Sequence, residues 1–132
     1  MKYSLDTNVC IDFLNGRFPH VIEHIRSHDP DTLILSSIVV AELRYGAEKS
    51  RQKRTNHEKL DVLFSEIGSI DFDEDAARVF GIIRATLESQ GTPIGPFDML
   101  IAAHALSRDL ILVSDNVKEF SRVDGLKLEN WR

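Results

Sequence analysis

The sequence predicts an α/β domain built on a central, mainly parallel β-sheet. Three observations carry that reading. Two short runs, "TLILS" (Thr32–Ser36) and "LILVS" (Leu110–Ser114), are almost wholly apolar, as strands covered on both faces are. Segments with apolar residues at helical spacing alternate with the strands. The length, 132 residues, suits a single domain, residues 1–132, with one core.

Each element has its own signal. "KYSLD" (Lys2–Asp6) reads as the first strand. "TNVCIDFLNG" follows as a helix, with Val9, Ile11, Phe13 and Leu14 at helical spacing and Gly16 as its stop. Pro19 suits the first position of a second short helix carrying Val21, Ile22 and Ile25. After "TLILS", Ser37 is the expected cap of a helix with Val39, Val40, Leu43 and Ala47 inward. "NHEKLDVLFSEIG" repeats the pattern, with Gly68 as the expected C-cap. "SIDF" is a short strand, and Asp73 caps a long helix with Ala76, Val79, Phe80, Ile83 and Leu87. "QGTPIGP" breaks the chain before an apolar helix that carries Asp98 in its first turn. "LILVS", a helical turn "VKEF" and a last strand in "LKLENW" complete the chain.

In a parallel sheet, ligands bind beyond the carboxyl ends of the strands. Four places lie there: Asp6 after the first strand, Glu42 a turn into a helix, Asp98, and the segment "SDNVKEF" with Ser114, Asp115, Asn116 and Glu119. Each has a plain structural reading. Asp6 suits a helix cap, Asp98 complements a helix dipole, Glu42 suits solvent and Asp115 an Asx-turn. Together they are harder to dismiss. No Lys or Arg adjoins Asp6, Glu42 or Asp98, and carboxylates gathered without cations repel one another. A hard divalent cation, Mg²⁺ or Mn²⁺, fits such oxygen ligands, and the reaction class inferred is phosphodiester hydrolysis.

Composition narrows the alternatives. Hydrophobic residues make up 42% and charged residues 28%, as in ordinary globular proteins. No apolar run approaches the roughly 18 residues of a membrane span, and "MKYSLDTN" reaches an aspartate too early for a signal peptide. Cys10 is the one cysteine, so no internal disulfide or cysteine metal cage is expected, and a cytoplasmic location is favoured. The net charge of −5 argues against a nucleic-acid partner at first sight. Setting aside Asp6, Glu42, Asp98 and Glu119 leaves about −1, and "KSRQKR" offers Lys49, Arg51, Lys53 and Arg54 as candidate RNA-phosphate contacts. A solvated loop explains that basic run equally well. His20, His24 and His28 recur every four residues without an "HExxH" pattern, so a solvated or helix-C-terminal face is expected rather than a metal site. His104 is expected to be packed, and Tyr45, Phe97 and Trp131 to serve core or dimer packing rather than base stacking.

At "YSLDTNVCIDFL", "SSIVVAELRYGAEKS", "GTPIGPFDMLIAAHA" and "LVSDNVKEF" the chain resembles the PIN-domain ribonucleases, and within them the VapC toxins of bacterial toxin–antitoxin pairs. The resemblance runs from end to end. It implies a PIN-like α/β/α sandwich and a Mg²⁺- or Mn²⁺-dependent endoribonuclease. By position it makes Asp6, Glu42 and Asp98 the first three acids, with Asp6 and Asp98 as direct metal ligands and Thr7 and Asn8 as orienting partners. The fourth acid departs from the family pattern. Many PIN domains have Thr-x-Asp here, whereas this chain has Ser114-Asp115-Asn116. Glu119 is the expected replacement, with Ser114, Asp115 and Asn116 orienting the site. The resemblance also implies a homodimer, a cognate VapB antitoxin whose tail fills the active-site groove, and initiator tRNA as a substrate. A catalytically weak module that binds RNA or antitoxin is left open by the displaced fourth acid. A phosphatase-like domain is disfavoured, because "LDTN" lacks the second aspartate of a DxD motif.

Overall fold

A computed structural model describes all of residues 1–132. Five short strands form one fully parallel sheet: β1 (Tyr3–Leu5), β2 (Leu33–Ser36), β3 (Gly68–Ile70), β4 (Ile111–Val113) and β5 (Lys127–Glu129). Their order across the sheet is β3-β2-β1-β4-β5. Tyr3 aligns with Leu33 on one side and with Ile111 on the other. The first three strands step one way from β1, and the last two step the other way. The order therefore reverses between β1 and β4, and at such a switch point the ends of neighbouring strands leave an open crevice.

The helices are α1 (Thr7–Leu14), α2 (Pro19–Ser27), α3 (Ser37–Glu48), α4 (Lys53–Glu66), α5 (Glu74–Ser89), α6 (Pro96–Ser107) and the short α7 (Val117–Phe120). They leave no residue of β2 or β4 exposed, so both faces of the central strands are covered. The core joins strand residues Leu5, Leu35, Leu112 and Val113 to Val9, Val39, Leu43, Leu63, Leu87 and Ile101 from the helices. α5 and α6 pack against each other, as do α3 and α4. α6 is buried nearly all round, through Met99, Ile101, Ala102, Ala103, His104 and Ala105. That anchoring fixes its first turn and hence Asp98. No helix is long and apolar enough to cross a membrane.

The elements follow the sequence closely, with three corrections at their ends. Ser36, not Ser37, caps α3: its hydroxyl accepts from the Val39 amide at 3.2 Å. The Ser37 hydroxyl instead accepts from the Phe72 amide at 3.0 Å, tying α3 to the chain after β3. Gly68 does not cap α4; Ile67 does, and Gly68 opens β3 one residue earlier than "SIDF" implies, facing Ile34. α4 begins at Lys53 rather than near Asn56, from Gln52, whose side chain makes no capping bond. Asp73 caps α5 as expected, accepting from the Ala76 amide at 3.0 Å.

Candidate active site

The crevice beyond β1 and β4 is an acidic cleft of about 340 Å³ lined by Asp6, Thr7, Asn8, Glu42, Asp98, Asp115 and Asn116, with no apolar residue among them. Each acid comes from a different element. Asp6 follows β1 and is the N-cap of α1, accepting from the Thr7 amide at 2.8 Å. Its cap role and its site role thus coexist: Oδ1 holds the helix, while Oδ2 accepts from the Ser114 hydroxyl at 2.7 Å. Glu42 stands on α3 and accepts from the Thr7 hydroxyl at 2.9 Å. Asp98 lies in the first turn of α6. Glu119 reaches the site from α7, where Asn116 Nδ2 stands 3.3 Å from both Asp98 Oδ2 and Glu119 Oε2.

No Lys, Arg or His approaches Asp6, Glu42, Asp98 or Glu119 within ion-pair distance. The electrostatics register the crowding. Burial pushes the Asp6 carboxyl up from its ordinary value, against the hydrogen bonds from Ser114 and Thr7, and the Glu42 and Asp115 charges add to the rise. Asp98 is pushed up to about 6, by burial first and then by Asp6, Glu119 and Glu42. Such a cluster is stable only if protons or cations offset the charge.

The donor set is all oxygen, which suits a hard divalent cation. No three of the His, Cys, Asp or Glu side chains close on a single point as a ready-made metal cage. A Mg²⁺-type ion does not need one, since it is commonly held by one or two carboxylates and completes its shell with water and substrate oxygens. The cleft wall offers Asp6, Glu42, Asp98 and Asp115 as carboxylates of that kind.

The PIN domain family matches residues 3–126 of the chain. The chain belongs to the PIN-domain family and to its VapC ribonucleases. The tRNA(fMet)-specific endonuclease VapC of Shigella flexneri is 43% identical over 131 residues, 99% of this chain and 98% of the relative. Ribonuclease VapC2 of Rickettsia felis is 41% identical over 134 residues, again 99% and 98% of the two chains. Among solved structures, VapBC2 of Rickettsia felis bound to a DNA fragment from its promoter aligns over 100% of both chains, with a TM-score of 0.94 at 40% identity. DNA-bound VapBC of Salmonella typhimurium gives the same TM-score at 39% identity, over 100% and 99% of the two chains.

In this PIN domain the residues predicted from sequence as the site converge: Asp6, Thr7, Asn8, Glu42, Asp98, Asp115 and Asn116 share the cleft. Ser114 and Glu119 adjoin it through their hydrogen bonds. Ser114 also accepts from the Asn116 amide at 3.0 Å, so one hydroxyl ties Asp6 to the loop after β4. Asp115 has a different neighbour. Its Oδ2 accepts from Arg132 at 2.9 Å, a pairing invisible in the sequence.

The basic run divides. Lys53 pairs with Glu48 at 3.3 Å and Arg54 with Glu58 at 3.1 Å, and Lys49 lies over the Tyr45 ring at 4.9 Å. Arg51 has no acidic partner. The histidines also divide. His28 lies past the end of α2, and it and His24 stack on the Trp131 indole at 4.9 Å. His104 is fully buried near Phe72, and burial holds it below the usual imidazole range. Trp131 joins the core, whereas Tyr45 and Phe97 are 66% and 59% exposed on the chain, so core packing holds for Trp131 alone.

Proposed function

We propose that this chain is a Mg²⁺- or Mn²⁺-dependent endoribonuclease, the toxin half of a toxin–antitoxin pair, with initiator tRNA as its substrate. One observation carries the proposal: four carboxylates, Asp6, Glu42, Asp98 and Glu119, meet at the switch point of a parallel sheet with no cation among them. The tRNA(fMet)-specific name of the Shigella flexneri relative supports the substrate. The toxin–antitoxin complexes among the similar structures support a VapB-type antitoxin as the partner. A homodimer is the assembly that goes with this reading.

Asp6 and Asp98 would hold the ion directly, and Glu42 and Glu119 would complete the acidic pocket through water or a second ion. Bound there, a hard cation supplies Lewis acidity: it offsets charge on a phosphoryl oxygen and favours ionisation of water. The protein supplies the rest. Thr7 and Ser114 fix the rotamers of Glu42 and Asp6 through hydrogen bonds of 2.9 and 2.7 Å. Asn116 spaces Asp98 from Glu119 by donating toward both. Asn8 adds a neutral polar group to the wall. Hydrolysis of the RNA backbone then leaves a 5′-phosphate and a 3′-hydroxyl.

The test uses the purified chain free of antitoxin, with initiator tRNA and total RNA in Mg²⁺ or Mn²⁺. Cleavage of the tRNA that stops in EDTA and is absent in Asp98→Asn is expected. Cleavage that persists in EDTA sinks the metal dependence. A folded wild type that cuts no RNA leaves a binding module of the same fold as the better description.

A further inference from the structure

Beyond the strands, Arg132 ties together three parts of the molecule. Its Nε and Nη2 donate to the two carboxylate oxygens of Asp12 at 2.8 and 3.2 Å, in the planar fork that suits a carboxylate. Its Nη1 donates to Asp115 Oδ2 at 2.9 Å. Its guanidinium carbon lies 4.2 Å from the centroid of the Phe18 ring. Phe18 holds φ at +53°, in the left-handed region that few non-glycine residues adopt. Asp12 is 4% exposed on α1, so it requires a cation.

Asp115 needs explaining because it stands in the wall of the acidic cleft. Its other oxygen, Oδ1, is buried without a hydrogen-bond partner. Left unpaired, Asp115 would be one more carboxylate facing the site. Arg132 donates to Oδ2 of Asp115 and offsets its charge, while the same guanidinium also holds Asp12.

We propose that Arg132 is a positioning residue for the nuclease site: it holds Asp115 as a neutralised pair in the cleft wall, leaving cation binding to Asp6 and Asp98. This rests on the metal-dependent reading of that cleft. The proposal fixes a sign that a merely structural role reverses. Loss of Arg132 frees a carboxylate and makes the cleft more negative, so a divalent cation binds more tightly. If Arg132 only braced the fold, its loss would loosen the site and weaken binding.

The experiment titrates Mn²⁺ into metal-stripped protein and follows free Mn²⁺ by electron paramagnetic resonance, with a thermal melt of each variant. Arg132→Gln is expected to bind Mn²⁺ roughly three- to tenfold more tightly than wild type, the size of one unscreened charge acting on a divalent ion at the cleft's scale. Asp115→Asn/Arg132→Gln restores the charge balance and should return to within about twofold of wild type, as should Arg132→Lys, which keeps the charge. Arg132→Gln also leaves Asp12 buried without its partner. If that variant does not fold, the comparison is made in an Asp12→Asn background, where no buried carboxylate is orphaned and adding Arg132→Gln is expected to tighten binding by the same factor over Asp12→Asn alone. Binding by the Gln variant that equals or falls below wild type overturns the proposal. A wild type that neither binds Mn²⁺ nor cuts RNA overturns the nuclease reading itself, and this inference with it.

Discussion

Ser114 Oγ donates to Asp6 Oδ2 at 2.7 Å, joining the ends of β4 and β1 across 108 residues of sequence. Both side chains are buried, and the same hydroxyl accepts from the Asn116 amide. The bond lowers the Asp6 carboxyl against a burial that raises it. Ser114→Ala removes that counterweight, so Asp6 takes up its proton at higher pH. The acid limb of the kcat/KM profile should move upward, with metal affinity or activity falling about 10- to 100-fold, as when a partner of a metal ligand is lost. An acid limb that stays in place would show that Ser114 does not tune Asp6.

Asp98 gives a pH dependence of stability. Its carboxyl lies at about 6 in the folded, metal-free protein, against an ordinary value of 3.8. The folded state therefore binds this proton more tightly than the unfolded state. Stability from this group is full below the unfolded value, declines as pH rises, and is lost above about 6. Asp98→Asn should be more stable than metal-free wild type at pH 7.5, by on the order of 1 kcal/mol once solvent screening of a half-buried group is allowed for. The advantage should disappear near pH 4. Mn²⁺ should raise the melting temperature of wild type and not of the variant. An equal offset at both pH values would refute the linkage.

Asn116 supports the site by being neutral. Its amide stands between Asp98 and Glu119, donating toward each at 3.3 Å. Asn116→Asp converts a donor into a further like charge. In EDTA this variant should lose about 1 kcal/mol, the low end of the range for polar groups left without partners, because the three side chains are half-buried. Saturating Mn²⁺ should recover most of the loss. Thermal melts with and without the ion check this. A loss that Mn²⁺ does not reduce would place the damage in the α7 turn rather than in the charge cluster.

The sequence made the sheet legible because its central strands are almost wholly apolar, and the acids followed from their places after those strands. Boundaries were harder where local signals competed. Ser36 and Ser37 are adjacent and both suit a cap, but only Ser36 reaches the Val39 amide. The start of α4 carried no cap signal, because Gln52 makes no capping bond. Arg132 was missed because its partners lie 120 and 17 positions away. A clue was available in Asp12, which falls on the same side of the first helix as Val9 and demands a partner if buried. Of the two packing roles the sequence offers Phe97, core and dimer, the first turn of α6 removes the core by projecting the ring to the surface.

The basic stretch that runs from the end of α3 into the first turn of α4 permits a graded prediction about RNA. Cations already paired with carboxylates displace fewer counterions when they meet a phosphate, because pairing must be broken first. Lys53 and Arg54 are paired with Glu48 and Glu58, and Arg51 is not. RNA binding is best measured on Asp98→Asn, which should bind without cutting, by fluorescence anisotropy over a series of KCl concentrations. Arg51→Ala should flatten the slope of log K against log salt by about 0.7, the increment for one phosphate contact on a single strand. Lys53→Ala and Arg54→Ala should each flatten it by less. Lys49→Ala should fall between, since Lys49 lies over the Tyr45 ring without an acid and loses that cation–π contact on binding. Slopes unchanged in all four variants would assign the stretch to solvent, and RNA contact would then have to come from another face.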